Sequence, residues 1–171
     1  VSAFADGGKT SPETLSSDAG TALSAAIAAG PAGRAIAVWV DSRQLGGLQS
    51  VHAARSTAGA WSSPVDIADG GAPTISMFSP SVAVDPGGNG LATWLRGSSD
   101  VWANRLSNAG DTWLGLEVLE GAVDGGAVGP AVAFRSTGNG FVVWGRNAAQ
   151  PALKSTRLVD GGWTEIQSLS T

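Results

Sequence analysis

The chain has no cysteine and no tyrosine, a single histidine and a single methionine, and only 14% of its residues are charged. Each shortage removes a class of chemistry. Without cysteine there is no disulfide framework and no thiolate-ligated zinc or iron–sulfur site. One histidine, His52, cannot build a multi-histidine metal centre. No apolar run approaches the ~18–20 residues of a membrane-spanning helix. The alanine-rich run 22–32 is short and broken by Gly30 and Pro31. No long stretch carries apolar residues at helical spacing. Net charge is −4 at pH 7, which leaves no basic stripe to displace counterions from a nucleic acid. The acidity itself is read as solubility.

What the chain has is glycine, 25 residues of it, and a repeated block. PSVAVDPGGNGLATW runs from Pro80 to Trp94, PAVAFRSTGNGFVVW from Pro130 to Trp144, and AAIAAGPAGRAIAVW from Ala25 to Trp39. Further markers keep step. An arginine recurs at Arg55, Arg105 and Arg157, and a second tryptophan at Trp61, Trp113 and Trp163, at spacings of 50 and 52 residues. A period of roughly 50 residues without helical patterning belongs to four-stranded propeller blades.

Each unit divides into four short runs. In the second they are Ser81–Asp85, Leu91–Arg96, Val101–Leu106 and Thr112–Leu119. Asn-Gly between the first two favours a tight hairpin, because φ > 0 is cheap there. The second run is apolar at consecutive positions, as in Ala35–Val40 and Phe141–Trp144. Such runs suit strands covered on both faces. The fourth run, as in Trp61–Ile67 and Trp163–Leu169, is more polar and suits an outer rim.

The expected fold is therefore all-β: one region, 1–171, of antiparallel four-stranded blades. Residues 1–20 read as an outer half blade, and 21–70, 71–121 and 122–171 as whole blades. Three and a half blades do not close a ring within one chain. Completion by a longer parent chain or by self-association is expected, since an unpaired edge is an aggregation hazard.

The pattern P-x-V-A-x-x-x-x-G-N-G-x-x-x-W at Pro80–Trp94 and Pro130–Trp144, with G-x-W-S-x-P at Gly59–Pro64, resembles bacterial propellers of the sialidase-like or BNR-repeat type. The likeness spans nearly the whole chain. The family signature S-x-D-x-G-x-T-W is degenerate here. Its nearest match is Asn108-Ala109-Gly110-Asp111-Thr112-Trp113, with Asn in place of Asp and Leu106 at the Ser position. The resemblance implies an arginine triad, a tyrosine nucleophile backed by Glu, and an acidic acid/base. With no tyrosine, the nucleophile is missing. The resemblance, with the low charge content, also leads to the expectation of an extracellular or cell-surface protein.

Arg55, Arg105 and Arg157 recur at one repeat position, which favours a scaffold role. Arg43, Arg96 and Arg146 follow the first tryptophan at varying offsets and are candidates for a loop-face rim. Asp41, Asp85, Asp100 and Asp111 form no paired-carboxylate motif. Asp85–Asn89 and Asp66–Gly70 are thin calcium-loop sequences that a capped turn explains equally well. No metal or cofactor is expected.

Trp39, Trp94 and Trp144 sit in the most buried run and read as core. Trp61, Trp113 and Trp163 are either wedges between blades or ligand platforms. Trp102 has His52 and Lys154 as its repeat equivalents, so a solvent-facing ring is expected. The candidate ligand-binding set is Trp102, Trp61, Trp113, Trp163, Arg96 and Arg146. The expected function is a non-catalytic module binding a glycan or a protein. The alternatives are an assembly unit and a remnant of a sialidase-type hydrolase.

Overall fold

The computed structural model describes residues 4–5, 8–9, 11–16, 20–43, 49–69, 75–109, 111–121 and 125–170, with the backbone alone at 4–5, 8–9, 43 and 69. Among these residues there is no α-helix. A short hairpin, β1 (Phe4–Ala5) and β2 (Gly8–Lys9), comes first.

Three sheets follow in chain order. The first contains β3 (Gly20–Ala29), β4 (Ala35–Arg43), β5 (Gln49–Thr57), and an outer strand split into β6 (Ala60–Trp61) and β7 (Val65–Asp69). The second contains β8 (Met77–Val84), β9 (Gly90–Arg96), β10 (Asp100–Ser107) and β11 (Thr112–Glu120). The third contains β12 (Gly126–Ser136), β13 (Asn139–Asn147), β14 (Ala152–Val159), and the split outer pair β15 (Gly162–Trp163) and β16 (Gln167–Ser168). Every neighbouring pair is antiparallel and every connection is a meander. The fold is the expected propeller-like row of blades, and its ring is not closed.

The blades stack through their second and third strands. In β4, Ile36, Val38 and Val40 point forward into a core shared with Met77, Val82, Ala92 and Trp94 of the second blade. Ala37 and Trp39, on the opposite face, meet Leu15 and Trp61. The second blade repeats the alternation. Trp94 looks back, while Leu91, Leu95, Val101 and Ala103 look forward onto Ala127, Val142 and Trp144. This is why the second run is apolar at nearly every position: its alternate side chains enter two different cores. The first strands lie side by side, β8 against β3 and against β12.

Polar ties hold the junctions. Asp85, 1% exposed, accepts from Asn89 N and Nδ2 at 2.8 Å each and from Gly138 N, in the next blade's turn, at 2.7 Å. That use of both oxygens accounts for the aspartate-glycine turn singled out in the sequence. The left-handed residue of these turns is the glycine before the asparagine, Gly88 at φ 83° and Gly138 at φ 73°, rather than Asn-Gly itself. The asparagine opens the next strand and ties two turns together. Asn89 Oδ1 accepts from Asn108 N at 3.0 Å, and Asn139 Oδ1 from Asp160 N at 3.3 Å.

Candidate functional site

The recurring arginine reaches forward across the blade junction. Arg55 pairs with Asp111, and Arg105 donates to the carbonyl of Gly161 at 3.1 Å. Asp111 and Gly161 are equivalent, each two residues before the second tryptophan. Arg105 is also gripped within its own blade by Glu117, with Nε–Oε2 at 2.9 Å and Nη2–Oε1 at 2.5 Å. The scaffold role expected of this position fits both junctions.

Of the candidate set, Trp113 packs against the core between the first two blades and Trp163 against the core between the second and third. Both act there as wedges. Arg146 and Glu120 form a nearly buried ion pair at 3.1 Å, and Glu120 also accepts from Trp144 Nε1 at 2.5 Å. Trp102 is half-buried rather than solvent-facing, because its strand position lies opposite Trp94 and its ring packs against the first core. The Arg96 guanidinium covers its ring at 4.8 Å. At the equivalent position His52 stacks on Trp39, with ring centroids 5.8 Å apart. The side chain of Arg43 lies outside the described residues.

His52 also sits in a relay-like array. Ser50 Oγ lies 2.9 Å from Nε2, and Asp66 Oδ1 lies 2.8 Å from Nδ1. Ser50 is only 4% exposed and lines none of the clefts described below. The array therefore satisfies buried polar groups. Among the described residues, no three of His, Cys, Asp and Glu converge as metal ligands.

Trp61 packs with Leu15 against Ala37 and Trp39 on the other face of the first blade, a wedge like Trp113 and Trp163, and only borders the cleft between the first and second blades. This cleft has a volume of about 450 Å³ and is walled by Arg34, Arg55, Trp61, Ser62, Asn108 and Asp111 among others. Arg34 donates to Asn108 Oδ1 across the junction. Burial, and secondarily the neighbouring Arg34 guanidinium, push Arg55 below the ordinary guanidinium value. The corresponding cleft between the second and third blades is about 170 Å³ and holds Arg105 with Leu114 and Phe134.

Sequence reasoning missed Arg34, Asn108 and Asp111 as site residues. The signal was present in the aligned repeats, because Arg34 stands where Asn89 and Asn139 stand. Both asparagines serve the scaffold, so the departure marks a position released from it.

No protein-family model matches the sequence, and no curated protein does. Solved structures resemble the fold. A protein of unknown function from Dyadobacter fermentans matches at 17% identity and a TM-score of 0.54, over 81% of this chain and 39% of its own. A GH93 α-L-arabinofuranosidase of Fusarium graminearum, in complex with arabinobiose, matches at 14% identity and a TM-score of 0.53, over 94% of this chain and 51% of its own. An endo-arabinase from Bacteroides thetaiotaomicron matches at 17% identity and a TM-score of 0.49, over 81% and 59%. This chain thus spans 39–59% of the length of these proteins. At such identities the likeness concerns the fold.

Proposed function

We propose that this chain is a carbohydrate-binding module of propeller type, acting without catalysis outside the cell or at its surface. The observation that carries the reading is the cleft between the first two blades. There two guanidiniums, the Asn108 amide and the hydroxyls of Ser56 and Ser62 stand beside apolar Val84 and Leu106, the mixture of few polar groups and apolar wall that orients a small ligand rich in hydroxyls. The arabinobiose complex of a protein with the same fold supports a saccharide over other small ligands. Asp111 is the one acid lining this cleft among the described residues, so the paired carboxylates of a glycosidase are not assembled there. A glycan array probed with the intact chain tests the reading. Saccharide binding that Asn108→Ala removes while the protein stays folded supports it, and an array without any bound glycan overturns it.

A second reading, assembly, is favoured by the forward face of the third blade. Phe141 and Leu153 are 39% and 43% exposed, whereas their equivalents Leu91 and Val101 are each 0% exposed beneath the next blade. Arg157, the equivalent of Arg55 and Arg105, stands opposite Phe141 on this face. The occupant we assign is a second copy of this chain, docked head to tail as an added blade, because the two internal junctions already show such a face meeting a blade of the same repeat. Sedimentation across a concentration series should give a self-associating species that Phe141→Asp returns to monomer. A wild-type monomer at all concentrations overturns this reading.

A further inference from the structure

We infer that the cleft between the first and second blades selects acidic saccharides, holding a carboxylate or sulfate group between the guanidiniums of Arg34 and Arg55. This rests on the saccharide reading above and adds the ligand's charge. The internal repeat provides the control. At the turn position, Asn89 and Asn139 tie their blades' hairpins together, and Arg34 replaces that tie with a cation. On the outer strand, Glu117 sits opposite Ala103 and neutralises Arg105. Val65 sits opposite the equivalent Ala53, so among the described residues the carboxylate that Arg55 meets is Asp111 of the next blade rather than one of its own.

The two departures fall at one junction, and both raise positive charge. The cleft walls carry two guanidiniums against one carboxylate, Asp111, in a chain whose net charge is −4. Burial first, and then the Arg34 charge, lower the Arg55 value, so the second guanidinium adds a repulsive cost there. An oxyanion between them would remove that cost. Planar guanidiniums bind carboxylate and sulfate in forked, two-bond geometry.

The test is calorimetric titration with four probes: a uronate oligosaccharide, a sulfated oligosaccharide, a neutral oligosaccharide of matched length, and inorganic sulfate. At least one acidic oligosaccharide should bind about tenfold or more tighter than the neutral one, with affinity falling as salt rises. The uronate and sulfate arms identify which anion is preferred. Arg34→Asn, which restores the repeat's own residue, should melt no lower than wild type and lose that preference. Equal binding of neutral and acidic probes, or an acidic preference that survives Arg34→Asn, overturns the inference and leaves the saccharide reading standing. Inorganic sulfate bound as tightly as the sulfated oligosaccharide overturns it by reducing the site to an adventitious ion only. Failure of every oligosaccharide to bind overturns both.

Discussion

The Asp85 carboxylate holds the Gly138 backbone N–H at 2.7 Å, so one blade's turn caps the next blade's turn from a position that water does not reach. Hydrogen bonds to a charged group are worth ~1.5–3 kcal/mol each, and Asp85 accepts three. Asp85→Ala should lower stability by about 3 kcal/mol or more, read as a drop in the denaturation midpoint. An unchanged midpoint would mean that the turns cohere without it.

Trp94 is 0% exposed and belongs to the core joining the first two blades. Truncation of a buried aromatic of this size costs about 3–5 kcal/mol. Trp94→Ala should therefore unfold the chain at ordinary temperatures or nearly so, and Trp144→Ala likewise. Trp61→Ala, in a half-buried ring on the other face of the first blade, should cost clearly less on the same thermal melt.

Glu120 holds both Arg146 and Trp144 Nε1 near the second junction. Removing one partner of a buried pair costs about 3–5 kcal/mol, because the other charge is left uncompensated. Glu120→Gln should destabilise by an amount in that range. Adding Arg146→Met to it should recover part of the loss, which a double-mutant cycle would measure.

Arg34→Asn runs in the opposite direction. It relieves the repulsion on Arg55 and lets the first blade adopt the asparagine tie of its neighbours, so stability should rise by about 0.5–2 kcal/mol. Chemical denaturation checks this. A fall in stability would show that the Arg34–Asn108 contact outweighs both gains.

Much of the fold was legible because the repeat repeats its physics. The run Leu91–Arg96 became Gly90–Arg96, and Val101–Leu106 became Asp100–Ser107. The first strand was read short: Ser81–Asp85 was expected, and Met77–Val84 is observed. A bulge between Phe78 and Ser81, with Ser79 at φ 50°, carries the strand through Pro80, where sequence alone suggests a boundary.

The site was less legible. Tryptophan count drew attention to Trp102 and Trp113, which the structure folds partly into the first core. Trp102 was assigned to solvent because its repeat position varies. Yet each occupant with a described ring contact, His52 or Trp102, covers or is covered by a neighbour. Arg34 passed unnoticed because a worn repeat copy looks like loss of pattern, until the lost asparagine's partner is seen in space.

The most direct measurement is a chemical-shift map of the intact chain titrated with an acidic oligosaccharide. The account predicts that the largest shifts gather on Arg34, Arg55, Ser62, Asn108 and Asp111, at one end of the first blade junction. Shifts confined to the third blade around Phe141 and Arg157, or no saturable shift at all, would contradict it.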